Sequence, residues 1–159
     1  MKPRDHVIGG AIGAAVLYPF IGKDSIIFFA ASLLIDLDHY LDFLWHNRFT
    51  DFSIRRMFAY HAWLERHLYR PGFLNLEIFH TIEFLVPLFL ISYWTGSAPL
   101  FAVWLGFVFH VILDIVNLAA HGVPFLRAHS FLEFFIRKRM LERKGYDPAG
   151  LCREALRNI

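Results

Sequence analysis

The sequence predicts an all-α fold, a four-helix transmembrane bundle with further helices at the cytoplasmic interface. Three observations lead there. Of 159 residues, 57% are hydrophobic and only 19% charged, too little polar surface to coat a soluble domain of this length. The apolar residues gather into four segments parted by short polar breaks. If those segments alternate in direction, 15 of the 16 Lys and Arg residues fall on one side and Lys23 alone on the other. By the positive-inside rule the crowded side is cytoplasmic. This makes the chain a multi-pass membrane protein with both termini in the cytoplasm.

The first segment, residues 6–21, is rich in small residues (Gly9, Gly10, Ala11, Gly13) that allow close helix contact. It imitates a secretory signal, but the apolar segments that follow need a membrane in any case, so it is expected to be retained. Gly22-Lys23-Asp24 forms a turn. The second segment runs from residue 25 to 35 and continues to about 45, becoming acidic on the way. The third, 77–94, is broken by Thr95-Gly96-Ser97, and the fourth, 99–120, opens on Pro99, a residue suited to a helix start. The first and third are short against the roughly 20 residues that cross a hydrocarbon core. An all-helical soluble core is the competing reading, and it leaves unexplained why these helices lack a hydrophilic face.

Two stretches on the cytoplasmic side, residues 53–69 and 131–143, are amphipathic. Each fits an interfacial helix or a packed cytoplasmic one. The chain reads as one membrane-embedded domain over 1–159, with a helical core over 1–124 and a basic tail over 125–159. A net charge of +2 gives no ground for a nucleic-acid partner; membrane lipid and a small-molecule or lipid substrate are the expected partners. The single Cys152 excludes an intramolecular disulfide and a cysteine-based zinc site.

Ionisable groups within apolar helices are costly and call for partners or a function. Here they recur one turn apart on one helix face: Asp36 with His39, His80 with Glu83, and His110 with Asp114. Asp38 lies between the first pair, and on an ideal helix it joins them only if the helix end unwinds. His6 stands at the start of the first helix. At 1.5 Å per residue all of these lie roughly 17–22 Å from the far end of their segments, so four alternating segments deliver them to one level near the cytoplasmic boundary.

The metal-ligand candidates are therefore His6, Asp36, Asp38, His39, His80, Glu83, His110 and Asp114. Imidazole and carboxylate without thiolate suit a divalent transition metal, zinc first, with iron or manganese as alternatives, and the number of donors allows one or two ions. Glu83 or Asp38, whichever is not consumed as a ligand, is the candidate general base. Against this, a lone His on an apolar face is ordinarily a hydrogen-bonded core residue, and Glu83 can pair with an Arg. His121 is either a further ligand or a helix cap. His46, His61, His67 and His129 read as interfacial.

Asp36-Leu37-Asp38-His39, His80-Thr81, and His110-Val111-Ile112-Leu113-Asp114 followed by Gly122-Val123-Pro124 resemble the YdjM-like family of predicted inner-membrane metal-dependent hydrolases. His6 ahead of a Gly-rich helix fits the same pattern. More distantly, the His-x-x-x-Asp and Asp-x-Asp elements are similar to those of zinc-dependent phospholipases C. The chain departs from the family at Ile35, where a Pro is usual, at Phe79-His80-Thr81, where a Thr-His-Ser element is common, and in its long 45–76 connection. The resemblance implies the inner membrane as the location and metal-dependent hydrolysis as the reaction class. The ligand cluster at headgroup depth beside amphipathic helices makes a phosphoester or lipid-like substrate at the cytoplasmic interface the expectation. An ion or proton transporter and a scaffold fastened by a structural metal are the alternatives.

Overall fold

The computed structural model describes residues 3–159, which are mostly helical. They form two compact units, one of residues up to Ile35 with Ile78–Pro124, the other Asp36–Glu77 with Phe125–Ile159.

The first unit holds α1 (Pro3–Ile21), α2 (Asp24–Leu34), a single 3-10 turn (Ile78–His80), α5 (Ile82–Thr95) and α6 (Ala98–Ala120). Helix α2 packs against both α1 and α6, and α5 packs against α6. Ala31, Ile35, Phe107 and Val111 form the buried centre, with Phe79, Phe84 and Leu88 around it. The α2–α6 approach is close because Gly106 has no side chain. A Cβ there would stand 2.5 Å from the Phe28 carbonyl oxygen and 2.9 Å from the Ala31 Cβ. Gly96, at φ +61°, ends α5 in the left-handed conformation, and its N–H reaches the carbonyls of Ser92 and Tyr93.

Among the described residues, α6 alone is long and apolar enough to cross a membrane. Helices α2 and α5 have 11 and 14 residues, about 16 and 21 Å against a core of about 30 Å. The expected helix over 25–45 is instead two. It breaks at Ile35–Asp36 and restarts at Leu37 as α3 (Leu37–His46). Aspartates compete with helical hydrogen bonding in a helix interior and favour a first turn, where the helix dipole welcomes negative charge. Asp36 and Asp38 thus mark a helix start.

The second unit comprises α3, α4 (Ile54–Arg66), β1 (Asn75–Leu76), β2 (Arg127–Ala128), α7 (Phe131–Arg143) and α8 (Pro148–Arg157). Its core is Phe43, Leu44, Tyr60, Leu64, Cys152 and Ala155. Residues 125–159 are therefore not a separate tail: they pack with 36–77 as one unit. Of the two readings of α4, interfacial or packed, the packed one holds for Tyr60 and Leu64, which enter this core. Helix α8 starts where Asp147 accepts a hydrogen bond from the Gly150 N–H at 2.9 Å, with Pro148 in its first turn. The two-residue strands pair in parallel, Asn75 with Arg127 and Leu76 with Ala128, a small exception to an otherwise all-α fold.

One ion pair in this unit makes stability depend on pH. His46 Nδ1 stands 3.0 Å from Asp42 Oδ1. Burial opposes the charged ring, but the Asp42 carboxylate, with Cys152 nearby, outweighs it and raises the imidazole from 6.5 to about 11. A folded-state pKa raised above the unfolded one stabilises fully below pH 6.5, and the contribution fades as pH climbs toward about 11. The difference in melting midpoint between the wild type and His46→Gln is expected to be largest at pH 6–7 and to shrink steadily toward pH 10, measured by thermal unfolding.

Candidate metal centre

In the first unit, three segments bring three imidazoles to one carboxylate. Asp114, in α6, is 3% exposed. Its Oδ1 lies 3.3 Å from His6 Nε2 in α1, and its Oδ2 lies 3.8 Å from His80 Nε2 and 3.6 Å from His110 Nε2. The i, i+4 spacing places His110 and Asp114 on one face of α6. His80 enters from the 3-10 turn that precedes α5. The His6 and His110 rings stack at 4.0 Å, almost parallel, and His80 meets His110 edge-on at 5.2 Å. His6, His80, His110 and Asp114 are all buried.

The tautomer of His110 follows from its neighbour. Nδ1 lies 2.7 Å from the Ser32 carbonyl oxygen, which only accepts, so Nδ1 carries a proton and donates. In a neutral ring Nε2 then offers its lone pair toward Asp114, and a lone pair facing a carboxylate is repelled unless a proton or a cation stands between them. An imidazole whose far nitrogen is held by a backbone carbonyl is the usual arrangement behind a metal ligand. The separations agree with this. Two donors each 2.0–2.2 Å from a tetrahedral ion stand about 3.3–3.6 Å apart, close to the spacings seen here. His6, His110 and Asp114 can together hold a metal ion, and His80 Nε2 stands beside them, 3.8 Å from Asp114 Oδ2.

In the second unit, Asp38, His39 and Glu77 form another group able to hold an ion. His39 Nδ1 lies 3.7 Å from both Asp36 Oδ1 and Asp38 Oδ1, and its Nε2 lies 3.6 Å from Glu77 Oε1. Glu77 also receives the Arg127 guanidinium at 2.7 Å, brought alongside by the β1–β2 pair, and the Asn75 amide at 2.9 Å. Burial opposes charge on His39, but Glu77, Asp38 and Asp36 overcome it and raise the ring to about 9. Protonated His39 and Arg127 already offset much of the charge on the three carboxylates, so an ion here must displace the His39 proton.

Of the residues singled out in the sequence, His6, His80, His110 and Asp114 belong to the first unit and Asp36, Asp38 and His39 to the second. Asp38 joins its group because the helix does restart there. Glu83 lies in the first turn of α5 with an exposed side chain, and it is in neither group among the described residues. The carboxylate that sequence reasoning missed is Glu77. Its signal was present, since it stands three residues before His80 as Glu83 stands three after. His61, read as interfacial, contacts the second group: its Nε2 donates to the His39 carbonyl at 2.7 Å.

Fold and site define the class: an all-α protein in which histidine and carboxylate side chains are gathered in the interior and can hold a metal ion. No family model, characterised protein or solved structure matches the chain.

Proposed function

We propose that this chain is a membrane-embedded, metal-dependent hydrolase of a phosphoester or lipid-like substrate, related to the YdjM-like family. The observation that carries the reading is the Asp114 carboxylate faced by the Nε2 atoms of His6, His80 and His110 at 3.3–3.8 Å in a buried setting. These donors suit zinc, and also iron or manganese. A divalent ion held there supplies Lewis acidity and lowers the pKa of a water molecule.

Membrane embedding is supported by an inverted distribution of polarity in the first unit. Val7, Ile12 and Phe20 of α1, Ile26 of α2, Val86 and Trp94 of α5, and Ile112 and Val116 of α6 are exposed, while His6, Ser25, Ser32, His80, Ser92, His110 and Asp114 are buried. Water penalises such an arrangement and lipid favours it. Four spans, with the basic residues and both termini on the cytoplasmic side, are the topology we infer from the charge asymmetry.

In the reaction, a water oxygen bonds to phosphorus as an ester P–O bond breaks. Glu83, exposed one turn beyond His80, takes the proton from water and returns it to the departing alkoxide. His6, His80, His110 and Asp114 act as ligands, and the Ser32 carbonyl positions His110. A structural role for the metal is the second reading: were His80 to join His6, His110 and Asp114, four donors would close the site, as in structural zinc sites that leave no position for water. An ion of higher coordination keeps one open.

The test is elemental analysis of protein purified without metal-affinity tags, followed by chelation. About one transition-metal ion per chain is expected. Hydrolysis of a phosphodiester or of phospholipid in mixed micelles should disappear on chelation and return with the metal found. Stoichiometric metal with no turnover on either substrate class selects the structural role; absence of metal ends both readings.

A further inference from the structure

We propose that α7 is a docking surface for anionic phospholipid at the bilayer surface. The inference rests on the membrane reading above and extends it to a lipid class. Ser130 fixes the start of α7 by accepting from the Leu132 N–H, and Arg137 ties it down through Glu133 and the carbonyls of Phe125 and Arg127. No residue of this helix is fully buried. Leu132, Phe135, Ile136 and Met140 are exposed. At 100° per residue they share one face with Arg139 and Arg143, while Phe134 and Leu141 occupy the opposite face. Leu132, Phe135, Ile136, Lys138, Arg139 and Glu142 line an open groove along the helix.

Charge decides among occupants. Among the described residues Arg137 pairs with Glu133 and Lys138 approaches Glu142, whereas Arg139, Arg143 and Lys144 take part in no ion pair. An apolar strip carrying two arginines that are not neutralised matches acyl chains beneath phosphodiester headgroups, with the aliphatic stems lying on the strip and the guanidiniums reaching the phosphates. A second copy of the same face would oppose arginine to arginine, which disfavours self-association. Each Lys or Arg near an anionic leaflet strengthens association about fivefold, so Arg139 and Arg143 together contribute about 25-fold.

The experiment compares the full chain in nanodiscs of zwitterionic lipid with discs containing an equimolar share of phosphatidylglycerol, following hydrogen–deuterium exchange over residues 131–144. Exchange is expected to slow about tenfold or more in the anionic discs, with the difference lost in Arg139→Gln/Arg143→Gln and at high salt. That variant leaves the packed face intact, so its folding is not at issue. Equal exchange in both lipids, a difference that survives the double variant, or protection that tracks protein concentration rather than lipid would each overturn the proposal. Metal content and turnover of a soluble diester, measured on the same discs, separate the two claims. Bound metal and turnover with unprotected α7 reject the docking surface alone, while protected α7 without metal rejects the hydrolase alone.

Discussion

Asp114→Asn is expected to abolish stoichiometric metal binding while leaving the helices in place. The substitution preserves shape, so the packing of α6 is undisturbed. What changes is the carboxylate that His6, His80 and His110 approach at 3.3–3.8 Å. A neutral amide is a far poorer ligand for a divalent transition metal than an anionic carboxylate. Loss of an outer-shell partner alone commonly weakens metal affinity by 10–100-fold, so loss of this ligand should exceed a hundredfold. Turnover should fall with it. The measurements are metal content by elemental analysis and circular dichroism for helicity. Retention of stoichiometric metal by well-folded Asp114→Asn would remove this residue from the centre and, with it, the basis for the functional proposal.

Gly106→Ala is expected to damage the same centre from a distance. The added methyl would sit 2.5 Å from the Phe28 carbonyl oxygen and 3.0 Å from the Ser32 backbone nitrogen. Backbone cannot swing aside as a flexible side chain can, so α2 and α6 must separate. Overpacking of this kind costs about 1–3 kcal/mol. The displaced strip of α2 includes Ser32, whose carbonyl holds His110 Nδ1 at 2.7 Å. A lowered melting midpoint should therefore come with weakened metal affinity, read by competitive chelation. Gly22→Ala supplies the contrast: nothing lies within 4 Å of its added methyl, and any strain arises from its φ of +55° alone. Its stability can fall, but metal affinity should not. Equal metal affinity in wild type and Gly106→Ala would show that the Ser32 contact does not orient the ligand.

Much of this was legible in the chain itself. The His110–Asp114 spacing fixes two side chains on one helix face whatever surrounds them, because helical geometry is local. His6 stood out because an ionisable residue opening an apolar helix demands a partner. Other features depended on neighbours that periodicity cannot reveal. Tyr60 and Leu64 form the same stripe whether a membrane or α8 covers them. Glu77 and Glu83 flank His80 symmetrically, and only packing told them apart: one is buried against Arg127 and the other left exposed. The acidic end of the second segment signalled a helix start as much as a continuation, and competition between aspartate and backbone hydrogen bonding decided for the start.

By itself the sequence determined helical character, the confinement of basic residues to the stretches between the apolar segments and to the two ends, and the donor types available to an ion, since each follows from composition and short-range spacing. Tertiary structure alone decided that the ionisable residues divide between two units. It likewise decided that residues 125–159 pack with 36–77 and that His110 presents Nε2 to Asp114. Those outcomes depend on which backbone carbonyl or carboxylate from a remote segment arrives beside each side chain, and burial makes such long-range pairings decisive because water no longer competes for the polar atoms.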